Sequence, residues 1–249
     1  MTRAGTLAER KAAVLHAVVS DYIRSGEPVG SGVVASRSGL GVSPATIRND
    51  MAALEELGFL RQPHTSAGRV PTDSGYRYFV DHLPRWPRLP ETKQRAIARF
   101  FGEAPEDPQE VVRGTTVLLS RLTRYGVVAR QPGSAHVVLG GTSNIVGEET
   151  FERRETARRL LELLEQEQTV LELLEALAGE GEVAVRIGRE NPLAAMREAS
   201  VVVAPYRFGR RRVGAIAVIG PTRMQYPEAI SAIHDVSRRL SSTIQALAG

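Results

Sequence analysis

The chain has 249 residues, 42% of them hydrophobic and 24% charged, with 32 Lys and Arg against 28 Asp and Glu for a net charge of +4. That length supports one large domain or two ordinary ones without covalent staples. There is no cysteine, which excludes disulfides, thiolate zinc sites and cysteine nucleophiles, and the mildly basic balance is compatible with a polyanionic partner.

The basic excess is assigned to the opening segment, where residues 1–88 hold 11 Lys and Arg against 8 acids. Glu9, Arg10, Lys11 and Asp21 interrupt every apolar run near the start, so no signal peptide is expected. The runs Val201–Pro205 and Val213–Ile219 are too short to span a bilayer. These features predict a soluble cytoplasmic protein with no membrane partner.

In chain order, Thr6 and Glu9 have the spacing of a capping box at a helix start. Val14, Leu15, Val18, Val19, Tyr22 and Ile23 then mark one apolar helix face, stopped by Gly26 and Pro28. Ser31 is the expected cap of a short second helix. Ser43 followed by Pro44 is the clearest helix start in the chain, since Pro at the first helical position gives up no needed donor. In that third helix Ile47, Met51 and Leu54 share a face, and Ala45, Asn49 and Ala52 point away with Thr46 and Arg48 on their flanks.

Phe59–Gln62 and Arg69–Pro71 read as two short strands around the loop Pro63–Gly68. A helix capped by Thr72 follows, to about Leu83, and the Pro- and Arg-rich run Leu83–Pro90 marks a boundary. Two amphipathic helices come next, one with Ile97, Phe100 and Phe101 and one with Val111 through Leu122. Beyond Tyr125, strands are expected at His136–Gly140, Val183–Ile187, Ala199–Tyr206 and Val213–Ile219, the last two paired through the turn Arg207–Arg211. Helices are expected at Phe151–Glu165, Gln168–Leu177, Asn191–Glu198 and Pro227–Leu247.

The first part has the makings of a winged helix-turn-helix. A helix enters the major groove only if its outward residues are small or reach base edges. Ser43, Ala45, Thr46, Arg48 and Asn49 meet that demand, with the helix N-terminus adding free N–H groups near phosphate oxygens. Thr65, Ser66 and Arg69 suit a wing, with Gly68 supplying flexibility and Arg69 able to enter a narrow minor groove. Glu55 and Glu56 come late, away from the DNA backbone. The same topology also serves protein contacts, with Arg48 and Arg69 as ordinary solvated charges.

Longer motifs carry a resemblance. Gly26–Ser31, Leu40–Met51, Leu54–Gly58, Gln62–Thr72 and Gly75–Asp81 closely resemble the N-terminal domain of the heat-inducible transcription repressors called HrcA. Ile187-Gly188, Asn191-Pro192, Ser200–Tyr206 and Ile219–Tyr226 resemble the C-terminal GAF-like region of that family, and Leu122–Val128 resembles its connecting helix and strand. The resemblance implies an α+β protein: a winged helix-turn-helix over 1–83, a helical linker over 84–124 and a shortened GAF-like domain over 125–249. It also implies a homodimer on an inverted-repeat operator (CIRCE) ahead of chaperone operons, assisted by the chaperonin GroEL and relieved by heat. At Val128–Gly140 the family has early strands and an inserted dimerisation domain, and both are absent from this sequence. Dimerisation is therefore assigned to the helices at 92–124 or 227–247, unless those stripes pack within one chain.

Other candidates carry no chemistry. His16, His64, His82, His136 and His234 lack metal-ligand spacing. Gly140–Asn144 lacks the ending of a P-loop and reads as a tight turn. Glu148, Glu149 and the glutamates at 162–175 read as solvated helix faces, and Leu160 through Leu177 as core. No cofactor, metal or catalytic residue is expected. A ligand-binding sensor whose winged helix contacts protein is the rival to the repressor, and an enzyme has no supporting constellation.

Overall fold

A computed structural model describes residues 7–65, 67–83, 88–147, 154–179 and 181–247. The chain forms two compact units, Met1–Pro84 and Arg85–Gly249.

The first unit runs α1 (Glu9–Ser25), α2 (Ser31–Arg37), α3 (Pro44–Glu56), β1 (Leu60–Arg61), β2 (Val70–Pro71) and α4 (Asp73–Asp81). Its core comes from the apolar stripes the helical period requires: Val14, Leu15, Val18 and Val19 of α1, Val34 of α2, Ile47, Met51 and Leu54 of α3, and Tyr76 and Phe79 of α4. Two helix starts follow the expected chemistry. Ser43 Oγ accepts from Thr46 N at 3.2 Å, and Thr72 Oγ1 accepts from Gly75 N at 3.2 Å. The Thr6 cap lies outside the described residues, and α1 begins at Glu9 after Ala8. One start differs from expectation. Ser31 is the first residue of α2 and Gly30 its cap position.

The second unit runs α5 (Glu91–Gly102), α6 (Pro108–Thr123), β3 (Gly126–Arg130), β4 (Val137–Gly140), α7 (Thr142–Val146), α8 (Arg154–Leu164), α9 (Glu167–Leu177), β5 (Ala184–Ile187), β6 (Ala199–Phe208), β7 (Arg211–Pro221) and α10 (Tyr226–Leu247). The five strands form one sheet in the order β4-β3-β7-β6-β5, antiparallel at every step. Val201 and Val203 of β6 and Ala215, Ala217 and Ile219 of β7 pack with Leu160, Leu163, Val170 and Leu174 of α8 and α9. Alternate strand residues point to the opposite face, which α6 and α10 cover. With helices on both faces, no alternation of apolar and polar residues is needed. That is why β6 and β7 read as continuous apolar runs.

Two local expectations change. Residues 191–198 do not form an α-helix; a single 3-10 turn, Ala194–Met196, stands there, and another, Gly188–Glu190, comes just before it. The buried Asn191 Nδ2 lies 3.0–3.1 Å from the carbonyl oxygens of Gly188, Met196 and Ala199, which commits the side chain to bracing this segment instead of capping a helix. Gly140–Asn144 is a turn that continues into the short helix α7. The strand that the resemblance places at the end of Leu122–Val128 stands as β3, at the sheet's second position.

The stripes of α6 and α10 face inward. Val111, Val112 and Leu119 of α6 and Ala229, Ala232, Ile233, Val236 and Leu240 of α10 are all fully buried within the one chain. The two helices pack on each other and on the sheet. Lys93 of α5 ties this layer together, donating to Leu122 O at 2.7 Å and pairing with Glu228 of α10.

Replacing Asn191 with Ala removes an amide whose two N–H groups are shared among three buried carbonyls; Gly188 O keeps the Asn191 backbone N–H, and Met196 O and Ala199 O lose this donor. Asn191→Ala should lower stability by about 1–3 kcal/mol, seen as a lower Tm in thermal denaturation followed by circular dichroism. An unchanged Tm would contradict the bracing role.

Candidate nucleic-acid interface

α3 presents two unlike faces. Ile47, Met51 and Leu54 are buried, and Ser43, Ala45, Arg48 and Asn49 are exposed, with Thr46 half-buried. Ser43 Oγ also lies 3.0 Å from Thr46 Oγ1, so the cap fixes the Thr46 side chain as well as its amide. Arg48 and Asn49 engage no side-chain hydrogen bond or ion pair among the described residues. The exposed first turns of α3 therefore offer small residues, a guanidinium and an amide around a capped helix N-terminus.

Buried carboxylates set the angle of that helix. Asp50 sits on the apolar side of α3, 3% exposed, and accepts from Arg10 Nε at 2.7 Å and Nη2 at 3.0 Å. Such a bidentate pair fixes direction as well as distance. Asp21 of α1, also buried, pairs with Arg24 and with Arg37 of α2, the latter at 3.2 Å. Both helices of the helix-turn-helix are thus bonded to α1 through acids that burial would penalise if unpaired. The sequence reading missed these acids. The signal was available: position 50 falls beside Ile47, Met51 and Leu54 on the helical wheel, where an acid needs a partner.

The wing is built differently from expectation. β1 and β2 pair through Leu60↔Pro71 and Arg61↔Val70, and Val29 adds a single antiparallel bridge to Arg69, with both N···O distances 2.9 Å. Arg69, expected to enter a minor groove, is partly covered at the base of the wing. Its Nε stands 2.8 Å from Glu55 Oε2, an ion pair whose N–H points off the hydrogen-bond axis. Glu55 Oε1 accepts from Gln62 N at 3.0 Å, so one carboxylate of α3 holds both ends of the wing loop. Gln62 Nε2 then donates to Thr65 O and Ala67 O, each at 2.9 Å, bracing the loop from inside.

Gly68 is required by close approach, not flexibility. A Cβ there would lie 2.4 Å from the backbone of Val29. Arg61, Pro63, His64 and Thr65 are the exposed residues of the wing, and Ser66 lies outside the described residues. Arg61 is an exposed cation that the sequence reading left unassigned.

Among the described residues no group of histidines, aspartates and glutamates could hold a metal ion. No described helix is long and apolar enough to cross a membrane.

If Arg69 acts by fixing the wing, Glu55→Gln and Arg69→Gln should act alike. Both should speed hydrogen exchange at the Gln62 amide and weaken duplex binding by similar factors. Full binding by Glu55→Gln beside a strong loss in Arg69→Gln would instead make Arg69 a direct DNA contact.

Comparison with known proteins agrees with this geometry. Residues 37–72, spanning the end of α2, α3 and the wing, match the family described as DeoR-like helix-turn-helix domain. Residues 128–230 match the HrcA protein C terminal domain. Similar curated proteins, each named heat-inducible transcription repressor HrcA, include those of Pelotomaculum thermopropionicum (30% identical, 96% of this chain and 97% of that one) and Parafrankia sp. (32%, 96% and 99%). A third, from Symbiobacterium thermophilum, is 33% identical over 94% of this chain and 97% of its own. The first alignment runs over 338 positions, more than the 249 residues here, so these relatives carry residues with no counterpart in this chain. A crystal structure described only as that of a hypothetical protein has the same fold, with a TM-score of 0.86 and 24% identity over 97% of this chain and 100% of that one. With this similarity over nearly its whole length, the chain belongs to the HrcA family of heat-inducible transcription repressors, helix-turn-helix regulators and not enzymes.

Proposed function

We propose that the protein binds, as a homodimer in the cytoplasm, an inverted-repeat operator of the CIRCE type ahead of heat-shock genes, and that heat relieves the repression. The observation that carries this reading is the exposed, unengaged face of α3 beside the buried, doubly anchored one. Ala45 allows close approach, Asn49 reads a base edge, and Arg48 contacts phosphate or base. Ser43 and Thr46 position the helix N-terminus on the backbone. Thr65 and Ser66 serve the wing, and Arg69 fixes its base. In this division of labour residues 1–83 meet DNA, while 84–124 and 125–249 support assembly and control.

A single α3 covers one half-site, and a two-fold dimer supplies the other. The apolar stripes of α6 and α10 pack inward, so dimer contacts fall to the remaining outer surface. The family resemblance supports GroEL as a partner, with heat-denatured protein competing for the chaperonin.

Fluorescence anisotropy with an inverted-repeat duplex and a scrambled duplex tests this at physiological salt. The operator should bind more tightly. Asn49→Ala should cost about 1–3 kcal/mol of that preference, and Arg48→Ala should reduce the salt slope by about 0.9 if it meets a phosphate. Equal affinity for both duplexes would contradict the reading. Sedimentation with and without operator should show a dimer at micromolar concentration; monomer alone in both would reject the two-fold arrangement.

A further inference from the structure

The whole-chain charge conceals a local one. Residues 201–249 hold seven arginines against two acids, Glu228 and Asp235, a net +5 where the whole chain carries +4. Part of this charge is concentrated at the end of the β6–β7 hairpin. Both strands are buried from Ala199 to Tyr206 and from Gly214 to Pro221, and exposure begins at the tip. There Gly209, with φ +58, opens a two-residue turn with Arg210 of the kind in which glycine leads. Phe208 pairs with Arg211 and Arg207 with Arg212 across the ladder.

Arginines directly opposite one another repel, and the tip adds two more beside that pair. Arg212 donates to Ala178 O. Arg210 and Arg211 are exposed, and their side chains make no ion pair or hydrogen bond among the described residues. Arg207 N donates to Ser241 Oγ at 3.0 Å, which seats the hairpin beside the C-terminal half of α10. Arg238, exposed three positions before Ser241, lies on the same side of that helix, and no acid follows Asp235. Phe208, 41% exposed, adds an aromatic to the arginines, a composition enriched at interfaces.

We propose that this hairpin tip, through Arg210 and Arg211 with Arg238 behind them, is a second nucleic-acid contact that grips duplex DNA by its phosphates. The proposal rests on the repressor reading for its ligand. The guanidinium fork matches phosphate geometry, and the rigid ribbon presents it without ordering a loop. Phosphate contacts carry no sequence information, so the tip adds affinity and leaves selectivity to α3.

The test is a salt titration of the full chain on operator and scrambled duplexes. Arg210→Ala with Arg211→Ala should weaken both duplexes by the same factor and lower the slope of log K against log salt by about 0.9 per lost phosphate contact. Arg210→Lys with Arg211→Lys should keep the wild-type slope, and the operator-to-scrambled ratio should be unchanged in both variants. An unchanged slope in the alanine variant would overturn the proposal. If that variant also loses wild-type retention on polyglutamate, the tip serves an acidic protein instead, and the DNA assignment falls. Failure of the repressor reading shows elsewhere, as a wild-type protein with no operator preference whatever its slope.

Discussion

The Arg10–Asp50 pair is the contact on which the DNA-facing geometry depends. An acid on the apolar side of α3 cannot be left unpaired there, so burial of Ile47, Met51 and Leu54 requires the guanidinium of Arg10 to arrive with it. Packing alone would tolerate rotation of α3 about its axis. The bidentate bond admits one orientation, and in it Ala45, Arg48 and Asn49 face outward. Asp21 does the same for α2 through Arg37. Glu55 extends the logic to the wing, holding Gln62 and Arg69 with one carboxylate. The acids of the first unit are thus positioning groups for a surface whose own side chains stay unengaged.

The second unit is built on a different constraint. A five-stranded antiparallel sheet covered on both faces leaves only its edges and strand ends to solvent. β4 pairs with β3 alone, through the short turn between Arg130 and Val137. This is where the family resemblance places an inserted domain. The side chain of Glu167 takes the Val137 N–H at 2.8 Å, which helps to protect that edge from pairing with another strand. The long β6–β7 hairpin carries its arginines past the covered region, giving the unit a charged feature at its margin.

Local chemistry was the legible part of this sequence. The Ser43-Pro44 start and the Thr72 cap act between neighbouring residues, and both stand as the sequence predicts. The β6–β7 hairpin and the apolar stripes also follow from local pattern. What was not legible depends on residues distant in the chain. Arg69 has the composition of a groove-inserting wing residue, but Glu55 and Val29 claim it. Gly68 resembles a hinge until the backbone of Val29 is placed beside it. The region 191–198 has helical composition, and its fate is decided by three carbonyls that only the fold brings around Asn191. Averaging charge over residues 89–249 hid the basic end of the chain behind the acidic helices before it.

The chain has no cysteine, so a single introduced thiol can report where α3 lies. Disulfide trapping would use operator duplexes carrying a thiol tether on a major-groove base edge in each half-site, with Asn49→Cys compared against Asp81→Cys on α4. Asn49→Cys should trap at both half-sites, symmetrically about the operator dyad, and Asp81→Cys at neither. Equal trapping by the two variants, or none by Asn49→Cys, would contradict the placement of α3 in the major groove.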